Sequence, residues 1–236
     1  MRFFLLAAVF TLQAQQSASD FLRQGMDHFS AGQVEESLAD FDRVIALEPS
    51  AGPQLWQRGI ALYYLGRFAD CKAQFETHQT VNSEDVENAA WHYLCTARAE
   101  SPAVARKKLI AIHSDGRRPM MKVHELFAGK AMVQDVLRNA GDTDATARFF
   151  ASLYIGLYYE ANGEAAKAEP WLKLANDQSK GQDYMGAVAR VHWTRLKKRE
   201  PRKKVAALSR LVLGPPDIAR VEAESSSTQM HERFTL

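Results

Sequence analysis

The sequence predicts an all-α fold: an α-solenoid of helix-turn-helix repeats with an irregular helical middle section and a C-terminal capping helix. Three observations carry that expectation. Two stretches superpose at an offset of 34 residues, with Gly25 recurring as Gly59, Gly32 as Gly66, Ser37 as Cys71 and Phe41 as Phe75. Apolar residues within each stretch recur at helical spacing, and Gly and Pro punctuate the segments between them. Such repeats bury their apolar faces against neighbours and present a concave surface, which favours binding another macromolecule over chemistry. With 236 residues, 46% hydrophobic and 25% charged, the chain can build one sizeable core, and 10% aromatic excludes a wholly disordered polymer.

Residues 1–18 read as a secretory signal: Met1-Arg2, the apolar run Phe3 to Leu12, then Gln13 to Ala18, with cleavage after Ala14 or Ala18. That run is too short for a permanent span, which needs about 20 apolar residues. The expected setting is therefore export, to a periplasm or outside the cell. No cysteine follows the run to accept a lipid, and no later segment has the length and apolarity of a span.

Residues 19–200 read as the repeat domain. In the first repeat, Phe21, Leu22, Gly25, Met26 and Phe29 make one helix, with Asp20 as its N-cap. Gly32 caps its turn, and Val34, Leu38, Phe41, Ile45 and Leu47 stripe a second helix that Pro49 stops. The second repeat, from about Gly52, carries Trp56, Gly59, Tyr63, Tyr64, Gly66, Cys71 and Phe75. A third begins at Asp85 with Ala90 to Ala99 but lacks the turn glycine at Glu100-Ser101-Pro102, and its second helix, Val104 to Ile112, is short. From His113 to Asp144 the period breaks, with short helices at Met120 to Phe127 and Met132 to Ala140. It returns in a long helix from Ala147 to Ala161, with Gly156, Gly163, Ala168 and Leu172. Tyr184 to Lys198 is the expected cap over the open end of the stack. Residues 201–236 read as a basic segment followed by a disordered tail from Gly214.

On the block Trp56 to Phe75, the block Asn88 to Leu94 and the return Leu153 to Tyr159 with Gly163, most of the chain resembles secreted bacterial tetratricopeptide-repeat (TPR) proteins. Its ordering is similar to that of the periplasmic TPR adaptor lipoprotein family, without the lipidation cysteine. That resemblance implies a docking scaffold for other envelope proteins.

First helices of such repeats line the groove. The candidate partner-binding residues are Trp56, Ile60, Tyr63, Tyr64 and Arg67 in the second repeat, and Met26 and Phe29, with Leu22, in the first. An aromatic stripe at helical spacing is more often core. The alternative attachment is the basic cluster Arg195, Lys197, Lys198, Arg199, Arg202, Lys203 and Lys204, suited to an anionic membrane surface, a cell-wall polymer or an acidic partner. It reads also as a solvated helix end complementing the helix dipole. Export argues against a nucleic-acid partner. Cys71 and Cys95 fall at close-approach positions of adjacent helices, which an oxidising compartment would allow to pair; two buried thiols are the other reading.

No enzyme is expected. The seven histidines show no His-Glu-x-x-His spacing, and no P-loop, nucleophile elbow or dinucleotide fingerprint is present, so neither metal nor cofactor is anticipated. His113, Asp115, Arg117 and Arg118 share one polar turn, read as a loop rather than a catalytic group.

Overall fold

The computed structural model describes residues 16–213, with side chains described as far as residue 198. Residues 1–15 of the expected 1–18 signal and the expected tail 214–236 lie outside the described residues, while Ser17 and Ala18 form the start of the first helix. Among those described, the fold is all-helical: eleven α-helices and one 3-10 helix, with no strand. The helices are α1 (Ala18–Ser30), α2 (Val34–Leu47), α3 (Trp56–Tyr64), α4 (Phe68–His78), α5 (Val86–Ala99), α6 (Pro102–Lys107), α7 (Met120–Phe127), α8 (Val133–Ala140), α9 (Ala145–Ala161), α10 (Ala165–Asp177) and α11 (Tyr184–Leu213). The chain divides into two compact units, one up to Trp193 and one from Thr194.

The recurrence of residues has a steric cause. A Cβ at Gly25 would stand 2.6 Å from the Phe41 ring, one at Gly59 2.7 Å from the Phe75 ring, and one at Gly156 2.8 Å from Leu172. Each hairpin, α1–α2, α3–α4 and α9–α10, therefore closes by seating a large side chain on a bare backbone. Phe41 and Phe75 are buried there, and full burial of such a ring contributes about 1.5–3 kcal/mol. Seven residues after each of these glycines comes another at positive φ: Gly32 at 80°, Gly66 at 76° and Gly163 at 79°. The turn demands that left-handed conformation, which glycine adopts without a steric penalty.

Helix ends follow local chemistry with one correction. Ser17, not Asp20, caps α1; Asp20 instead stands three residues in and reaches back to the Ser17 backbone, forming a capping box. Two hydrogen bonds from Ser17 are the main reason the Asp20 carboxyl is lowered to about 2. Pro49 opens the 3-10 helix Pro49–Gln54, so α3 begins only at Trp56.

The third pair departs most from the repeat. α6 ends at Lys107, while α5 packs on α3, α4, α6, α7 and α9. Its unbroken buried run from Asn88 to Ala97 marks it as a central helix, buried all round rather than on one stripe, with Asn88, His92 and Thr96 as buried polar members. Cys95 on α5 is bonded to Cys71 on α4, with Cα atoms 5.8 Å apart. Twenty-four residues separate the two in sequence.

The C-terminal helix differs from expectation twice. Its first residues do more than cover an end: the Tyr184 ring packs 5.1 Å from Phe29 of α1 and 5.2 Å from Trp56 of α3. His192 stands between Tyr64, 2.9 Å away, and Glu160 of α9, 3.2 Å away. The Tyr64 hydroxyl at Nδ1 and the Glu160 carboxylate at Nε2 thus hold the ring from both sides. The helix also continues to Leu213 rather than stopping near Lys198. Past Pro201, the run Arg202 to Leu213 is rich in Lys, Arg, Ala and Leu, strong helix formers that carry the backbone onward.

Candidate functional site

Six segments of the first unit converge on a cavity of about 480 Å³, within the range of ligand sites, α4 contributing Phe75 and His78. α3 contributes Trp56, α5 contributes Glu87, Asn88 and Trp91, and the loop after α6 contributes Arg117. α9 contributes Phe149 and Phe150, while Asp183 and Tyr184 close it from the start of α11. The irregular stretch that interrupts the period therefore builds one wall.

Arg117 is the electrostatic centre of that wall. Its guanidinium lies 2.6 Å from each of Asp85, Glu87 and Asp115. Asp85 caps α5 by accepting from the Glu87 backbone N–H at 2.9 Å, and Asp115 accepts from the Val86 N–H at 3.2 Å. Three carboxylates thus crowd a helix N-terminus, where the backbone donors and the helix dipole favour negative charge. The loop is tied down beside it by Glu84, which accepts from the His113 and Ser114 backbone and pairs with the His113 ring at 3.0 Å. The His113 backbone bond is the largest cause lowering the Glu84 carboxyl to about 2.

Ionisation follows burial and partners. Burial pushes the Glu87 carboxyl up, against the pull of Arg117 and of the Tyr154 hydroxyl that donates to it at 2.7 Å. Burial also acts to raise Asp115, but hydrogen bonds from Arg117 overcome it and hold that carboxyl below the ordinary range. The bond to Asp115 in turn raises Arg117, so its charge is permanent. One guanidinium faces three carboxylates, and Asp183 adds another acid at the rim; the wall is acidic on balance.

Three polar atoms of residues lining this cavity have no hydrogen-bond partner: Asn88 Oδ1, Trp91 Nε1 and the Tyr184 hydroxyl. The Asn88 orientation is set by its neighbours. Gln79 Nε2 donates to the Ser83 carbonyl at 2.8 Å, which turns Gln79 Oε1 towards Asn88 Nδ2 at 2.6 Å. Asn88 Oδ1 is thereby left as an acceptor, in a side chain 2% exposed.

The residues expected to line a groove separate into two groups. Trp56 lines the cavity, Met26 is half-buried against Gln57, and Arg67 is exposed and paired with Asp70 at 2.8 Å. Leu22 is half-buried as well. Phe29, Ile60, Tyr63 and Tyr64 are core instead. The start of α11 covers Phe29 and Tyr64, and Tyr63 packs edge-on to Trp91 at 5.5 Å, so these four present no face to a partner. Of the basic cluster, Arg195 is half-buried and Lys197 and Lys198 are exposed; the side chains of Arg199, Arg202, Lys203 and Lys204 lie outside those described. Sequence reasoning missed Arg117, Asn88 and Tyr184. The only available signal was the acid pair Asp85 and Glu87 at a helix start, opposite an arginine turn some thirty residues away.

No protein-family model matches the chain. Fold and site alone define its class: an all-helical protein with an aromatic, acid-walled cavity closed by its own C-terminal helix. Among the described residues no helix is long and apolar enough to cross a membrane.

Proposed function

We propose that this chain is an exported, non-enzymatic scaffold of the TPR type, an α-solenoid in part, which binds a protein partner at the cavity between α3, α5, α9 and α11. The carrying observation is the concentration of Trp56, Trp91, Phe149, Phe150 and Tyr184 around one opening that also holds Arg117. Aromatic residues and arginine dominate interface energetics when centrally placed. The equivalent glycine contacts in three hairpins support the solenoid reading, since stacked repeats need that close approach. The carboxylates nearest the cavity are committed to Arg117 and to backbone donors, a framework suited to holding shape.

A second reading is an envelope-associated structural protein held by the basic end of α11, favoured by the exposed Lys197 and Lys198 on a helix that continues through Arg202, Lys203 and Lys204. Affinity capture with cross-linking from an envelope extract of the source organism separates the two. Trp56→Ala with Phe150→Ala abolishes capture under the first reading. Under the second, capture survives that change and is lost when Arg202, Lys203 and Lys204 are neutralised.

A further inference from the structure

The cavity combines features that select one kind of charge. Its lining includes five aromatic residues, of which Trp56, Phe150 and Tyr184 are half-buried and Trp91 and Phe149 buried. Aromatic faces attract cations through the ring quadrupole and have no corresponding attraction for anions. The surplus of carboxylate over guanidinium acts in the same direction. Asp183, at the exposed rim, adds an acid. The unpartnered atoms, the Asn88 Oδ1 acceptor and the Trp91 Nε1 donor, favour neither sign, so the selection rests on the rings and the acids.

We propose that this cavity receives a lysine or arginine side chain presented by a polypeptide partner. The inference rests on the scaffold reading above and specifies what that scaffold recognises. The cationic head sits beside Trp56, Tyr184 and the acidic wall, while the alkyl stem lies along the half-buried Phe150. A polypeptide is favoured over a free amine by the geometry of the rim. Thr146, Gly181 and Asp183 are exposed there, so a main chain can cross the opening while one side chain enters. The volume, about 480 Å³, also exceeds what a small amine would fill.

The test titrates the full chain with blocked tripeptides, acetyl-Gly-Lys-Gly-amide and acetyl-Gly-Arg-Gly-amide, followed by tryptophan fluorescence from Trp56 and Trp91. The controls are the neutral counterparts carrying Nε-acetyl-lysine or citrulline, and n-butylammonium as a free amine. Saturable binding of a charged peptide, with its neutral counterpart at least about tenfold weaker, is the expected result. Trp56→Leu and Asp183→Asn should each weaken the charged peptide roughly tenfold. Asp183 is exposed at the rim, so its variant keeps the circular-dichroism melt of the parent; Trp56→Leu gives up the edge contact with Tyr184 and melts lower, and its binding is read well below that melt. Equal binding of charged and neutral peptides, or no saturable response to either charged peptide, overturns the proposal. Butylammonium binding as tightly as the peptides overturns the polypeptide assignment. If partner capture still depends on Trp56 and Phe150 while the charged peptides fail to compete, the scaffold reading stands and the cation assignment falls.

Discussion

Replacing Arg117 with methionine keeps an unbranched apolar stem and removes the guanidinium charge from among three carboxylates. Asp115 is 4% exposed and Glu87 16% in their side chains, whereas Arg117 is 46% exposed. Breaking a fully buried pair costs about 3–5 kcal/mol, and an exposed pair is worth about 0–1. A half-exposed guanidinium serving two nearly buried acids falls between, at about 2 kcal/mol. For a chain of this size that lowers Tm by roughly 4–8 °C. The pH dependence supplies the sharper check. Asp115 is depressed below its ordinary 3.8, so its contribution is fully present above that value and is lost as pH falls through the folded value. Glu87, pushed up by burial, becomes neutral more readily once Arg117 is gone. Thermal melts of parent and variant, followed by circular dichroism, should therefore differ fully at pH 7 and converge as pH falls below 3.8, through the lowered Asp115 value. A variant melting within about 1 °C of the parent at pH 7, or one whose deficit persists undiminished at pH 3, refutes the reasoning.

Four further outcomes follow from the fold. Changing Cys71 and Cys95 together to serine removes a cross-link spanning 24 residues and should cost about 3 kcal/mol, read in urea unfolding as a lower midpoint; an unchanged midpoint contradicts the bond's role. Gly59→Ala gains about 1 kcal/mol of helix propensity but drives a methyl into the Phe75 ring, a clash worth about 1–3, so it should destabilise on balance. Gly52→Ala, facing open space, is the control and should lie within about 0.5 kcal/mol of the parent. Ser17→Ala loses the capping box and should cost about 1 kcal/mol. Under the proposed export, cleavage after Ala14 preserves Ser17 whereas cleavage after Ala18 deletes it, so intact-mass measurement should place the mature terminus at Gln15; a terminus at Ser19 contradicts this.

Local geometry was legible in the sequence because it leaves single-residue marks. Gly25 against Phe41 and Gly59 against Phe75 recur since each close approach admits no side chain, and the turn glycines recur because of their positive φ. The boundaries of α7, α8 and α9 follow similarly from polar, cap-bearing loops. What the period did not convey was long-range closure. Tyr63 and Tyr64 carry the same pattern whether they face a groove or a core, and the arrival of Tyr184 and His192 from far along the chain decides the matter. The spacing likewise left the pairing of Cys71 with Cys95 open, because two small residues at a helix contact look alike bonded or free. Arg117 was invisible as a site residue for a related reason. Its three partners come from two segments, and only the folded backbone brings Asp85 and Glu87 to the turn holding Asp115.

The central claim is that partners are bound at the cavity and not at the basic end of α11. Site-specific photo-cross-linking tests it most directly, with benzoylphenylalanine placed at Phe150 on the cavity wall or at Lys198 on α11 and each protein irradiated in an envelope extract. The account predicts a discrete polypeptide adduct from position 150, suppressed by excess acetyl-Gly-Lys-Gly-amide or its arginine counterpart, with none from position 198. Adducts formed only from position 198 would contradict it.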